Sequence, residues 1–133
     1  MKTIKILITF CIVVGAAFIL YVFFAGVNLI LENQSGQTIH KVEINYGKGT
    51  VSADSITNKD FLKKSLGKIG EGATFDVQWR DNTGINQQAQ FSVYFFSHSG
   101  YDTVRIKFLP RGEAVLYEGE RLYKPNSLNH SSP

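Results

Sequence analysis

Residues 73–80 read A-T-F-D-V-Q-W-R, and apolar and polar side chains alternate along most of this stretch. Phe75, Val77 and Trp79 share one face of an extended chain, because successive side chains of a strand point to opposite sides. A period of two is typical of a strand with one buried face and one hydrated face. The stretch therefore predicts a strand at the edge of a hydrophobic core.

The same alternation recurs on both sides of this stretch, in residues 41–46 and 103–108, and turn sequences rich in Gly, Asn, Asp and Ser separate the segments. Seven strands are predicted, near 28–33, 38–46, 50–56, 73–81, 87–96, 101–109 and 114–118. Their length and spacing favour a mainly β fold, an antiparallel β-sandwich that is immunoglobulin-like in general architecture. The predicted core comprises Val42, Ile44, Phe75, Val77, Trp79, Phe91, Val93, Phe95, Val104, Ile106 and Phe108.

One segment, residues 58–66 (N-K-D-F-L-K-K-S-L), interrupts this rhythm. Its apolar residues do not follow a period of two, and Asn58 is a residue type that caps helices. We therefore expect one or two helical turns here.

Residues 91–96 (F-S-V-Y-F-F) are apolar on both faces. An uncharged strand of this kind would aggregate as a free edge, so we expect it to be a central strand. Tyr94 and Phe96 lie opposite the core face. Either residues 58–66 or the C-terminal residues cover these two rings, or the rings form an exposed protein-contact surface. Tyr94 and Phe96 are the candidate contact residues.

The N-terminal part of the chain is very different. From Ile6 to Val27 there are 22 consecutive residues without a charge, preceded by Lys2 and Lys5. As a helix this run would extend about 33 Å, roughly the thickness of a bilayer's hydrocarbon core. The backbone finds no partner in lipid and must bond internally. Residues 6–27 are therefore predicted to be a transmembrane helix with the lipid bilayer as its partner.

The charges predict how this helix is oriented. Basic residues remain on the cytoplasmic side, so residues 1–5 are expected to be a cytoplasmic stub in the cell membrane. Residues 28–124 are then an exported, extracytoplasmic domain. No Gly/Ser/Pro-rich stalk separates Val27 from the first predicted strand, so the domain should sit close to the membrane. Residues 125–133 are polar and proline-bounded, and predict a disordered tail.

The alternative is a cleaved secretory signal, which would release a soluble exported protein. Signal peptides have an apolar region of about 7–15 residues and a small-x-small cleavage site. Gly15-Ala16-Ala17 is the best such triplet, and cleavage there would leave a strongly apolar N-terminus. An uncleaved signal-anchor is therefore the preferred interpretation.

Composition weighs against several kinds of partner. Beyond the first five residues there are twelve basic and eleven acidic side chains, and Lys63-Lys64 is the only adjacent basic pair. Nucleic-acid binding needs a concentrated positive surface, so we expect no nucleic-acid partner. Cys11 is the single cysteine, and the three histidines are scattered. We therefore expect no disulfide, no metal site and no cofactor.

Enzyme-like motifs are weak. Ser97, His98, Ser99 and Asp102 supply the groups of a catalytic triad but lie within one predicted hairpin turn, where they cannot converge. The glycine-rich stretches 47–50 and 67–72 do not complete the spacing of a phosphate-binding loop and are predicted to be turns. Asn33-Gln34-Ser35 and Asn129-His130-Ser131 match the glycosylation sequon. No catalytic residue is assigned, and we expect that the chain is not an enzyme.

The function that fits these features is a protein-interaction or accessory module of a cell envelope, with an unidentified protein partner. The stretches 33–39 and 100–106 resemble small exported bacterial sandwich proteins, which implies an envelope setting. An immunity-type or inhibitor protein acting at the outer membrane face is the alternative interaction role. An envelope enzyme is the least favoured interpretation.

Overall fold

The computed structural model describes residues 2–24, 26–67, 69, 72–94 and 103–126. These residues form an N-terminal helix and nine strands. The elements are α1 (Lys2–Phe24), β1 (Val27–Asn33), β2 (Ile39–Asn45), β3 (Thr50–Ile56), β4 (Phe61–Gly67), β5 (Gly72–Arg80), β6 (Asn86–Tyr94), β7 (Thr103–Leu109), β8 (Glu113–Glu118) and β9 (Arg121–Tyr123). The fold is thus mainly β with one apolar helix, as the alternation predicts.

The strands form two sheets, in the orders β4-β1-β7-β8-β9 and β3-β2-β5-β6. Every pair is antiparallel except β1 and β7, which run parallel, with Leu29 opposite Val104 and Leu31 opposite Ile106. The prediction of an entirely antiparallel fold is therefore wrong at this pair. Both strands are apolar on the buried face, and alternation alone contains no information about strand direction.

The buried faces of the two sheets contribute to one hydrophobic core. The Trp79 ring of the four-stranded sheet meets the Phe108 ring of the five-stranded sheet edge-on, with 5.0 Å between the ring centroids. Ten of the eleven predicted core residues are buried: Val42, Ile44, Phe75, Val77, Trp79, Phe91, Val93, Val104, Ile106 and Phe108. The eleventh, Phe95, lies outside the described residues.

The helical turns predicted for residues 58–66 are wrong, because most of this segment belongs to β4 (Phe61–Gly67), at the edge of the five-stranded sheet. Leu62 and Leu66 contact the core, whereas Lys64 is exposed although it stands opposite the buried Leu29. A lysine at an inward register position is a recognised way to prevent an edge strand from pairing further. It also breaks the alternation that would have identified the strand.

The prediction that residues 91–96 belong to a central strand is also wrong for the described part. β6 lies at the edge of its sheet and pairs only with β5 among the described strands. Its open side is contacted by the C-terminal segment. The backbone N–H of Asn126 donates to the Gln90 carbonyl at 2.7 Å. The strand β9, which leads into this segment, was not predicted.

The helix joins the sheets almost directly. α1 ends at Phe24, three residues before the predicted boundary, and β1 begins at Val27. Gly26 lies so close to Gly67 that an added β-carbon would overlap the Gly67 backbone. We call the end of the sheets where β1 begins the helix-proximal end. The opposite, helix-distal end contains the connections 34–38, 57–60, 81–85 and 110–112.

Candidate functional site

Tyr94, one of the two predicted contact residues, is the last residue of β6 and lies at the helix-proximal end. Its side chain is 53% exposed, and its backbone carbonyl accepts a 3.3 Å hydrogen bond from the Tyr123 hydroxyl. β4 lies in the other sheet, so that segment does not cover the ring. Phe96, the second predicted residue, lies outside the described residues.

The enzyme-like motifs take different places. The Ser97–Asp102 motif lies outside the described residues. The glycine-rich stretch 47–50 is a hairpin turn between β2 and β3, as predicted: Gly47 has φ +91°, and the Tyr46 N–H donates to the Gly49 carbonyl at 3.0 Å. Within the described part of the chain, no group of three His, Cys, Asp or Glu side chains could hold a metal ion.

Three surface clefts lie at the helix-distal end. The first, which we call the loop cleft, has a volume of about 520 Å³ between the end of β1 and the β3–β4 connection. Phe61 supplies an exposed ring at its rim, and Lys59 and Asp60 supply charges. Its remaining lining residues are Glu32, Asn33, Gln34, Gly36 and Asn58.

Asn33 forms the floor of the loop cleft and is the one buried polar side chain among the described residues. Its Nδ2 donates to the carbonyl oxygens of Gln37 and Ile56, both at 2.7 Å. Its Oδ1 accepts from the backbone N–H of Ser35 at 3.0 Å and from the Ser35 hydroxyl at 2.6 Å. Every polar atom of the amide is bonded. This asparagine of a glycosylation sequon therefore connects the 34–38 loop to the end of β3 in the folded domain.

The other two clefts, which we call the sheet clefts, lie on the outer face of the four-stranded sheet, and Lys41 and Arg80 line both. One has a volume of about 470 Å³ and is rich in amides: Gln78, Asn86, Gln87 and Gln88. The other, of about 410 Å³, contains His40, Asp54 and Asp81. Arg80 is oriented by a 2.9 Å hydrogen bond from its Nε to Asn86 Oδ1.

Lys41 lies between the sheet clefts in an unusual backbone conformation. Its φ is +47°, in the left-handed region that non-glycine residues rarely occupy. The register of β2 against β5 shifts between His40 and Glu43, so Lys41 is part of a β-bulge. Bulges redirect side chains and are concentrated near binding sites, and backbone strain is concentrated there as well.

Asp81 organises the turn at the end of β5. Its Oδ1 accepts from the Thr83 hydroxyl at 2.6 Å and from the backbone N–H groups of Thr83 and Ile85. The Thr83 hydroxyl bond is the main reason that the pKa of the Asp81 carboxyl lies below its ordinary value; desolvation opposes it, and the backbone bonds and the Gln87 side chain add to the lowering. The carboxylate is thus engaged within its own turn.

The outer face of the five-stranded sheet bears an ion-pair network. Glu32 binds Arg105 at 3.0 Å and Lys107 at 3.9 Å. Lys107 also lies over the Tyr117 ring, with its Nζ 5.0 Å from the ring centroid. The single Glu32 carboxylate of β1 thus bonds two cations of the adjacent strand β7.

The side chains that line the helix-distal clefts are mainly polar and charged. The hydroxyls of Ser35 and Thr83 bond to Asn33 and Asp81, so neither is held by a histidine base. The clefts instead present amides, carboxylates and the three cations Lys41, Lys59 and Arg80, on strands and on short connections. Sequence reasoning missed these residues because they are polar side chains of strands and turns, and the Lys41 bulge leaves no pattern in the sequence.

Comparisons with known proteins add little. No known family model matches the chain, and no curated protein matches it. A solution NMR structure of a protein from Eubacterium rectale is similar, with a TM-score of 0.44 and 16% identity, covering 71% of this chain and 90% of that one. A likeness at this level supplies no function.

Proposed function

We propose that this chain is a single-pass membrane protein whose extracytoplasmic domain, an immunoglobulin-like β-sandwich in general arrangement, binds a protein partner through its helix-distal end. The observation that carries the proposal is the position of the clefts. All three described above lie at the end of the sheets farthest along the strands from α1. A domain tethered to a bilayer by so short a connection presents this end to other molecules.

The anchor function rests on the exposed surface of α1. The helix is long and apolar enough to cross a membrane, and none of its segment Lys2–Leu20 is buried against the rest of the chain. Apolar side chains such as Phe10 and Phe18 are 64% and 66% exposed. A helix that is hydrophobic all round is stable only inside a protein or in lipid. Lipid is therefore the partner that we assign to it.

The orientation can be tested with single-cysteine variants in a Cys11→Ser background. Thr3→Cys lies before the apolar run and Thr57→Cys lies in the helix-distal connection 57–60. A membrane-impermeant maleimide applied to intact cells should label the Thr57→Cys chain and label the Thr3→Cys chain only after lysis. Labelling of Thr3→Cys in intact cells would contradict the orientation. A mature chain that starts near Phe18 or Gly26 would instead favour a cleaved signal.

The binding surface can be tested by site-specific photo-cross-linking in intact cells. Gln88 lines a sheet cleft, whereas Thr74 lies on the same face of the same sheet near the helix-proximal end. A photoreactive residue at Gln88 should give a discrete adduct, and one at Thr74 should give none. Adducts at Thr74 alone would overturn the helix-distal assignment.

Tyr94 and Phe96 remain a second candidate contact, and the exposure of the Tyr94 ring is the observation that favours it. An aromatic ring at this end lies near the level of the lipid headgroups, where Tyr is enriched in membrane proteins. Replacing both residues by Ser should leave the stability nearly unchanged and weaken partner capture if this surface is the contact. A loss of several kcal/mol would show that the rings support the fold.

A further inference from the structure

The edges of the two sheets are protected in different ways. β4 has Lys63 and Lys64, β3 has Asp54, and β9 has Arg121. Charges of this kind prevent an edge strand from pairing with another polypeptide. β6 (N-Q-Q-A-Q-F-S-V-Y) is the exception, since its nine residues include no charge and no proline. By composition alone it is the edge most prepared to accept another strand.

The open side of β6 is instead covered by residues Tyr123–Asn126, which we call the strap. The Tyr123 hydroxyl donates to the Tyr94 carbonyl at 3.3 Å, and the Asn126 N–H donates to the Gln90 carbonyl at 2.7 Å. The Asn126 side-chain amide donates to the Ser92 hydroxyl at 3.0 Å. Tyr123 thus bonds Tyr94, and Asn126, three residues later, bonds Gln90, four residues earlier in β6. The strap therefore runs antiparallel to β6.

These contacts identify which backbone groups of β6 face outward. In an antiparallel pair, alternate residues direct their backbone groups to the partner strand, and the others direct them away. Gln90 and Tyr94 both accept bonds from the strap, so the even-numbered residues direct theirs to the open side. In the described part of the chain, the strap bonds this row with one backbone N–H, at Gln90, and one hydroxyl, at Tyr94. An added strand would supply a backbone donor and acceptor at every second residue.

We propose that the open side of β6 is a docking edge for an extended, uncharged segment of a partner polypeptide, and that the strap must be displaced for the segment to bind. The strap shows the chemistry that the edge accepts: backbone N–H groups and amide side chains. Among the described residues, the strap contributes to this edge one backbone N–H, that of Asn126, and two side-chain donors, the Tyr123 hydroxyl and the Asn126 amide. The edge thus remains closed by a weak, local contact.

A second copy of this chain is a poor occupant of the edge, an argument that rests on the proposed anchor function. Antiparallel pairing of β6 with β6 would place the helix-proximal end of one copy beside the helix-distal end of the other. The two anchors would then lie at opposite ends of the pair and could not enter one bilayer. A free peptide has no such restriction.

The test uses the full chain in lipid nanodiscs and a fluorescent synthetic peptide with the sequence of residues 86–94. This peptide can pair antiparallel with β6, with its residue corresponding to Gln90 opposite Gln90 of the chain. Asn126→Pro removes the N–H that bonds Gln90, and Asn126→Ala removes only the side-chain bond to Ser92. We expect the peptide to bind Asn126→Pro at least tenfold more tightly than the native chain, with Asn126→Ala in between. If Asn126→Pro does not fold, the double variant Tyr123→Phe/Asn126→Ala replaces it, with a smaller gain expected.

An edge control identifies where the peptide binds. Proline at residue 88 has no N–H to offer on the open side and keeps the ladder to β5, whereas alanine retains that N–H. Asn126→Pro/Gln88→Pro should lose the gained affinity, and Asn126→Pro/Gln88→Ala should keep it. Equal binding by the native chain and a folded Asn126→Pro chain would overturn the proposal, as would equal peptide affinity of Asn126→Pro with and without Gln88→Pro.

Dimerisation of Asn126→Pro in detergent without peptide would identify a second copy as the occupant and overturn the peptide assignment. Failure of the anchor function would instead appear as loss from nanodiscs in every variant.

Discussion

The Asn33 side chain joins the last residue of β1 in one sheet to Ile56, the last residue of β3 in the other, through a 2.7 Å hydrogen bond from its Nδ2 to the Ile56 carbonyl. The backbone of Asn33 adds two bonds to the β3–β4 connection, to the Asp60 carbonyl and from the Lys59 N–H. One buried amide thereby connects three segments at the helix-distal end. Its position determines the shape of the loop cleft.

Replacing Asn33 by Ala should therefore destabilise the domain strongly. The substitution leaves the buried Ile56 carbonyl without its side-chain donor, which costs about 1–3 kcal/mol, whereas the Gln37 carbonyl keeps its bond from the Ser35 hydroxyl. We expect a loss of about 2–3 kcal/mol in the free energy of unfolding. Urea titration of the full chain in detergent, followed by the emission of its single tryptophan, measures this loss.

Asn45→Ala is the matched control for the Asn33 prediction. Asn45 is exposed and makes one turn bond, from the Gly47 N–H to its Oδ1 at 2.9 Å. Its loss should cost about 1 kcal/mol or less. A similar cost for both variants would show that Asn33 contributes only a local turn.

Trp79→Ala tests the packing between the sheets. The ring is 3% exposed and meets Phe108 across the core. Removing a large buried ring eliminates its apolar area and leaves a cavity, at a cost of about 3–5 kcal/mol. Because the tryptophan itself is lost, circular dichroism in urea follows this unfolding. Ile85→Ala, at an exposed apolar position, is the control and should change the stability by less than about 0.5 kcal/mol.

Whether a strand can be predicted from the sequence depends on where it lies in its sheet. β2, β5 and β7 alternate clearly because each has one buried and one hydrated face, and their core residues were predicted correctly. β4 was missed because an edge strand tolerates a lysine at an inward position. β6 was placed at the centre because its lack of charge indicates burial. Its protection comes from the strap, residues 123–126, a distant part of the chain.

The candidate site was less predictable than the fold. The helix-distal clefts are built from residues such as Lys41, Arg80 and Asn58, which lie far apart in the sequence and have no motif spacing. The bulge at Lys41 depends on the register between β2 and β5, a property of two strands together. The burial of Asn33 likewise depends on a residue distant in the sequence, because its amide bonds the Ile56 carbonyl, 23 residues away.

The stability of the domain should depend on pH through Asp81. The folded-state pKa of this carboxyl lies below its ordinary value of 3.8, chiefly because of the Thr83 hydroxyl bond. A lowered folded pKa contributes stability above the unfolded pKa, and this contribution is lost as the pH falls through the folded value. Asp81→Asn should therefore be less stable than the native chain at pH 7, and the difference should shrink as the pH falls below 3.8 and through the lowered folded pKa.

Urea titrations between pH 2.5 and pH 7 measure this difference in the free energy of unfolding. Asp54→Asn, at an exposed position of β3, is the control for the loss of a charge without the loss of a turn. An Asp81→Asn deficit that stays constant over the whole pH range would contradict the role of the ionised carboxylate.

If α1 is the proposed membrane anchor, a charge placed in its middle should reduce the association of the chain with the membrane. Val14 lies in the middle of the apolar helix and is half exposed, with no charged residue between Lys5 and the end of the helix. A lysine at the centre of a membrane helix costs about 2.5–3.5 kcal/mol of insertion free energy. Val14→Lys should therefore shift a large fraction of the chain from the membrane pellet to the soluble or aggregated fraction after alkaline extraction. Thr3→Lys places the same charge before the apolar run, where basic residues are favourable, and should remain in the pellet. Equal extraction of the two variants would show that the helix does not hold the chain in the bilayer.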